Sequence, residues 1–148
     1  LAPQTGLLPR DPWQRAQAIS FVLWCAGTVH GMAFASVFRQ RLSPASFASV
    51  FRQARFSSDD SAHAAIRATG MVSVTAHLAD IDARLAGRDT IMDAFSIADL
   101  YPLVFRRWAV RIGIEMGGYP NLVAHAERIA ARPAAARAIA QESIRLDG

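Results

Sequence analysis

With 148 residues, 52% of them apolar and 19% charged, the chain has room for one packed domain and lacks the composition of a disordered segment. All sixteen basic residues are arginine and the net charge is +4, which permits an acidic partner. The charge is not gathered into an arm, however: residues 1–57 hold six Arg and one Asp, residues 58–100 three Arg and seven Asp, and the remainder seven Arg and four acids. With no helix-turn-helix, finger or sheet-aromatic signature beside it, this pattern argues against nucleic acid as a partner.

The single cysteine, Cys25, excludes an internal disulfide and sits in an apolar run, which points to a buried thiol in a reducing, cytoplasmic setting. The longest nearly unbroken apolar stretch, residues 18–27, is short of the roughly 18–20 residues that cross a bilayer. No membrane span is expected. The opening Leu1-Ala2-Pro3-Gln4 has neither an initiator Met nor the layout of an export signal, so the chain reads as a fragment of a longer protein.

In chain order the elements are all helical. Ala, Leu, Arg and Gln dominate, and no six residues alternate in the manner of a strand. Asp11-Pro12 predicts an N-cap with proline at the first helical position, opening a long helix towards Arg41. On it Ile19, Leu23, Ala26, His30 and Phe34 form the expected inward stripe. Ser57, Ser58, Asp59 and Asp60 place acceptors and negative charge at the start of a second helix. Its stripe is Met71, Val74, Leu78, Ile81 and Leu85, and Gly87 ends it. Ile97, Leu100, Tyr101, Val104, Phe105, Trp108 and Ile112 predict a central helix closed by Gly113. Pro120 begins another, with Leu122, Ala126 and Ile129 on one face, and Pro133 begins a short last one through Ala140. Four to five helices in an antiparallel bundle would bury these stripes.

One feature is local. Phe34-Ala35-Ser36-Val37-Phe38-Arg39-Gln40 recurs letter for letter at residues 47–53, a tandem duplication of thirteen residues. A repeat architecture needs at least three units of longer period, so this is a single event, with Ser43-Pro44 marking the break between copies.

Ser96-Ile97-Ala98-Asp99 has the spacing of a capping box, in which the Ser hydroxyl accepts from the helix amides and the Asp carboxylate reaches back to the Ser amide. Phe95 and Leu100 on either side predict a hydrophobic staple. The role assigned to Ser96 and Asp99 is structural. The four histidines are widely spaced and none falls at i, i+4 with an acid between, so no metal site is expected. The Gly117-Gly118 pair before Pro120 reads as a turn, not a phosphate loop.

Ser96-Ile97-Ala98-Asp99-Leu100-Tyr101, Arg107-Trp108, Tyr119-Pro120-Asn121-Leu122 and Arg132-Pro133 resemble, in order and spacing, the C-terminal domain of bacterial cytosolic glutathione S-transferases. Leu8-Pro9-Arg10-Asp11-Pro12 resembles the linker and first helix of that domain, and Ile81-Asp82-Ala83-Arg84-Leu85-Ala86-Gly87 the end of its second helix. The resemblance covers residues 8–142. It implies an interdomain linker over residues 1–11, a helical domain over 12–142 and a tail over 143–148. A thioredoxin-like domain, absent here, would precede them and bind glutathione, the co-substrate; no other cofactor is implied. The helical domain would supply the pocket for a small hydrophobic electrophile, and both domains together a homodimer. A detoxifying glutathione-conjugating parent follows, with no catalytic residue in this segment and no activity from the segment alone. The competing reading is a glutathione S-transferase-like module used for protein association without catalysis.

Site candidates follow from the same resemblance. His30 approximates, in Gly27-Thr28-Val29-His30, a Ser-x-x-His pattern whose histidine lies near glutathione in relatives; the other reading is a histidine satisfied in the core or at the dimer interface. Trp108 would line the electrophile pocket or pack the core. Met32 and Phe34, with Phe38, would complete an apolar wall or be ordinary core. Arg111, one turn beyond Trp108, would meet a carboxylate or lie solvated. Cys25, buried and in mid-helix, is expected to be inert.

Overall fold

A computed structural model of the chain describes residues 6–37 and 59–146. The described residues form helices and turns and no strand, the all-α class that the sequence predicts. They divide into two compact units, Leu23–His77 and Leu1–Val22 with Leu78–Gly148, each described in its own right.

The first helix, α1 (Pro12–Trp24), opens as predicted. The Gln14 amide donates to Asp11 Oδ1 at 2.8 Å and the Arg15 amide to the Asp11 carbonyl at 2.9 Å, so Asp11 satisfies amides that have no intrahelical partner. The chain then continues without a break through a ten-residue π-helical stretch, Cys25–Phe34, into a last short turn, α2 (Ala35–Val37). The predicted extension towards Arg41 lies outside the described residues, as do Ser57, Ser58 and the second copy of the duplicated segment.

The inward stripe expected here is corrected. Ile19 and Leu23 are exposed and Ala26 and His30 half-buried, whereas Ala18, Phe21, Cys25, Val29 and Ala33 are buried. Every fourth residue from 21 to 33 stays inside because π-type i→i+5 bonding widens the turn beyond the α value of 3.6 residues. Phe34 is buried as expected, at the end of that stretch. The membrane expectation also needs amendment. The helix Pro12–Val37 is 26 residues and apolar enough to cross a bilayer by length and composition, because Ala, Gly, Thr and Val carry the apolar character past residue 27. Its one buried line is equally what a core helix of a soluble fold shows.

Helix α3 (His63–Arg84) follows a single 3₁₀ turn, Asp60–Ala62. Asp59 Oδ1 accepts from the Ser61 amide and hydroxyl at 2.9 and 2.7 Å, and these bonds hold its carboxyl below the usual carboxylate range. Of the predicted stripe, Val74, Leu78, Ile81 and Leu85 are buried and Met71 is half-buried, and Gly87, at φ +69°, turns the chain out of the helix. Within the Leu23–His77 unit, α3 passes the end of the first helix so closely that a Cβ added to Gly70 would lie 2.2 Å from Ser36 Oγ and 2.9 Å from Val37 Cγ2. Arg67 Nη1 donates to the Val37 carbonyl at 2.8 Å in the same place. The serine hydroxyl can rotate away, but β-branched Val37 is stiff. Gly70→Ala is therefore expected to destabilise the protein by about 1–3 kcal/mol, the cost of overpacking, read as a lower thermal midpoint with unchanged far-ultraviolet dichroism.

In the other unit, a 3₁₀ turn, Ile97–Asp99, leads into α4 (Leu100–Arg111), and α5 (Pro120–Ala130) and α6 (Pro133–Gln141) follow with proline in the first turn of each. Helix α4 packs mainly on α5. Its predicted stripe is corrected as well. Ala98, Pro102, Phe105 and Ala109 form the buried line, while Leu100 and Val104 are exposed and Tyr101, Trp108 and Ile112 half-buried. Small residues alternate with one large ring on the inner face, which lets the neighbouring helix approach closely. A reading weighted by side-chain size selects the wrong side. Pro102 is accommodated because the first-turn amides of a helix lack partners anyway.

Candidate functional site

The polar centre of the Leu78–Gly148 unit is built where α4 begins. Ser96, extended at φ −147°, caps the turn, and its hydroxyl accepts from the Ala98 amide. Asp99 Oδ2 accepts from the Ser96 amide at 2.8 Å, which completes the capping box. Two further partners were not legible in the motif. Asp99 Oδ1 accepts from the Ile91 amide at 2.8 Å and lies 3.0 Å from Nε2 of His125 on α5. Asp99 and His125 are both fully buried. The carboxylate only accepts, so the imidazole donates through Nε2; its Nδ1 is buried with no hydrogen-bond partner among the described residues. The cap thus ties the 91–96 loop, the start of α4 and the middle of α5 to one carboxylate.

The predicted staple is corrected. Leu100 points to solvent, and Phe95 instead carries the Arg132 guanidinium 3.5 Å above its ring, a cation–π contact that secures the start of α6. Asp82 is a second anchor, one without a local sequence signature. From α3 it accepts from the Leu122 amide at 2.8 Å and from Asn121 Nδ2 at 2.9 Å, capping α5, whose own N-cap residue, Tyr119, makes no side-chain cap. The i to i+40 separation hides such a cap from any local motif.

Helix α4, fixed in this way, carries Trp108 and Arg111. Tyr101, Phe105 and Trp108 form a row of rings with centroids 5.4 and 5.9 Å apart, Phe105 fully buried and its neighbours half-buried. Trp108 therefore presents part of its indole outside the core, and Arg111 is exposed in the last turn. Arg107 Nε donates to the Arg145 carbonyl at 2.8 Å and Arg106 to that of Leu146, so residues 145 and 146 are bound along α4.

His30, Met32 and Phe34 belong to the other unit, within the π-helical stretch. The Ala35 amide donates to the carbonyl of His30, five residues back, the bonding that defines the stretch. His30 is half-buried, and desolvation pushes its imidazole below the ordinary value of 6.5, so the uncharged ring is favoured at neutral pH. Met32 is 54% exposed, whereas Phe34 is fully buried, a core ring with no free face. Cys25 is buried, as the sequence predicts. In the same unit Trp24 meets His77 edge to face at 5.4 Å, a pairing with no sequence signature.

A histidine more acidic when folded than when unfolded makes the protein less stable in acid: below its folded pKa both states are charged and the preference for the neutral ring is lost. Stability is expected to rise with pH through the window just below 6.5, and His30→Gln should flatten that part of the profile. Denaturant midpoints of the two proteins measured from pH 5 to 8 check it.

Comparison with known proteins then decides the fold family. No protein-family model matches the chain, and no curated protein matches it significantly. Solved structures do. A sphingomonad glutathione S-transferase complexed with glutathione is 32% identical, with a TM-score of 0.72, over 97% of this chain. The fold is that of the glutathione S-transferase C-terminal helical domain. A beta-class glutathione S-transferase from Sphingomonas chungbukensis is 29% identical with a TM-score of 0.72. A glutathione transferase homologue from Sulfitobacter with bound glutathione, at 23% identity and a TM-score of 0.78, agrees in fold. The chain spans 62% of the length of each. The Ser96–Asp99 box lies at the start of α4.

Proposed function

We propose that this chain is the electrophile-binding part of a glutathione S-transferase. The observation that carries the reading is the 32% identity, over 97% of the chain, to a transferase seen with glutathione. The parent would be a cytoplasmic homodimer in which a preceding thioredoxin-like domain holds glutathione and lowers its thiol pKa. The thiolate attacks an electrophilic carbon of a small apolar substrate, the new C–S bond forms as the C–halogen bond breaks, halide leaves, and the thiol proton passes to solvent. Such chemistry needs donors or a helix N-terminus beside the sulfur. Cys25, buried in mid-helix, does not supply a substitute nucleophile.

In this reading the exposed flank of α4, with Trp108 partly open, Val104 exposed and Arg111 at its end, forms substrate wall or dimer surface. His30 acts as an uncharged imidazole, a hydrogen-bonding group near glutathione and not a fixed cation. Met32, exposed in its own unit, offers an adaptable apolar side chain suited to varied substrates. Phe34 is a core ring of that same unit.

The test uses the reading frame together with the coding sequence upstream of Leu1. The expected product binds immobilised glutathione and conjugates a chlorinated nitroaromatic, and the present chain alone does neither. His30→Ala in that protein should lower turnover by about tenfold or more, the size of one hydrogen bond to a charged group. A parent that ignores both glutathione and the nitroaromatic, or whose upstream sequence is unrelated, would instead establish a protein-association module.

A further inference from the structure

Two arginines of α4 are taken up by main-chain oxygens. The helix holds Arg106, Arg107 and Arg111 and no acid. Among the described residues neither Arg106 nor Arg107 pairs with a carboxylate. Each donates to a carbonyl instead, Arg107 Nε to that of Arg145 at 2.8 Å and Arg106 Nη1 to that of Leu146. Arg106 Nε is buried and has no acceptor among the described residues, a costly state for a donor on a charged group. A guanidinium fork is shaped for the two oxygens of a carboxylate, and one neutral carbonyl leaves part of it unused. The segment held there has a pattern of its own: Ile144 and Leu146 are half-buried, and Ser143 and Arg145 exposed. Consecutive carbonyls gripped by donors, with every second side chain covered, are how a peptide docks on a receptor.

We propose that Arg106 and Arg107 form a receptor for the free C-terminus of a peptide chain, filled in this structure by residues 145–146 of the protein itself. The ligand is a polypeptide end with an apolar last residue and a second apolar residue two places earlier, the pattern of Ile144 and Leu146. Its terminal carboxylate takes the place of the Leu146 carbonyl, and the carbonyl before it meets Arg107. The Arg106 guanidinium then turns its Nε–Nη2 edge to both carboxylate oxygens, and the orphaned Nε–H gains an acceptor. Arg106 is half-buried, so less water screens the pair than at an open surface. The same charge separates a chain end from a passing segment. Residues 145–146 present neutral carbonyls and hold the site through their proximity, whereas a true end carries the carboxylate that the fork fits.

Ending the chain at Leu146 places a carboxylate at the receptor. The thermal midpoint of that protein is expected about 3–5 °C above that of the 148-residue chain, and Arg106→Gln should remove the gain. Asp147→Asn in the full chain is the control and should leave the midpoint unchanged; a fall as large as that of Arg106→Gln would make the Asp147 side chain the true partner and overturn the proposal. Binding in trans is read by titration calorimetry on the chain ending at Ser143. The probe is the peptide of residues 142–146, as the free acid and as the C-terminal amide. The acid is expected to bind at least about tenfold more tightly, with the difference lost in Arg106→Gln. Equal affinities of acid and amide, or equal midpoints for the chains ending at Leu146 and Gly148, overturn the receptor. If the chain ending at Ser143 does not fold, the two midpoints decide alone.

Discussion

Asp99→Ala is expected to lower stability by about 3–5 kcal/mol, the cost of removing one member of a buried charged network and stranding the others. Four donors lose their acceptor at once: the Ile91 and Ser96 amides and His125 Nε2, bonded to this carboxylate at 2.8–3.0 Å, and the Ser96 hydroxyl at 3.4 Å. Water does not reach them, because Ser96, Asp99 and His125 are all nearly or fully inaccessible. The measurement is chemical denaturation of the variant beside Ser96→Ala, which forfeits only a cap hydroxyl and should cost about 1 kcal/mol. If the two variants fell equally, Asp99 would be acting as a cap and nothing more. Asp99→Asn should land between them, since the amide keeps one acceptor oxygen but presents N–H groups to donors on its other side.

Phe105→Ala is expected to cost about 3–5 kcal/mol, the range for truncating a fully buried phenylalanine. Phe105 is the single large ring on the inner line of α4, between Ala98, Pro102 and Ala109. Small neighbours cannot close over the space it leaves, so the cavity term is added to the transfer term. Its contacts with Tyr101 and Trp108 are lost as well, and the intrinsic fluorescence of the half-buried Trp108 should shift together with the unfolding midpoint. Leu100→Ala, on the exposed side of the same helix, should change stability by less than about 1 kcal/mol. Equal losses at the two positions would mean that α4 faces the other way. The pair therefore tests the orientation of α4, and with it which of its faces is open to solvent.

The corrections to the predicted stripes share one cause. Periodicity reports where apolar side chains recur, but not which of two adjacent lines is buried when small residues occupy one and large residues the other. On α4 the buried line is mostly alanine and proline, and on the first helix the π-helical stretch shifts the phase midway. No residue of Cys25–Phe34 carries a local sequence signal for that wider turn. The site candidates divide in the same way. The burial of Cys25 and Phe34 was legible from their apolar surroundings. The partial exposure of Trp108 and the desolvation of His30 depended on the phase of each helix.

By itself the sequence determined the helical class, the starts of the helices and the resemblance to the glutathione S-transferase C-terminal domain fold. Caps, prolines and glycines act within one or two turns, so their effects can be read from neighbouring residues: Asp11, Ser96, Gly87, Pro120 and Pro133 all work locally. Only the tertiary structure decided which faces are buried, that Asp82 caps a helix about forty residues later, and that Asp99 anchors His125 as well as its own turn. Those arrangements rest on groups far apart in the chain competing for the same buried acceptors and the same space. No local rule ranks such partners, since each becomes favourable only when the others have already excluded water.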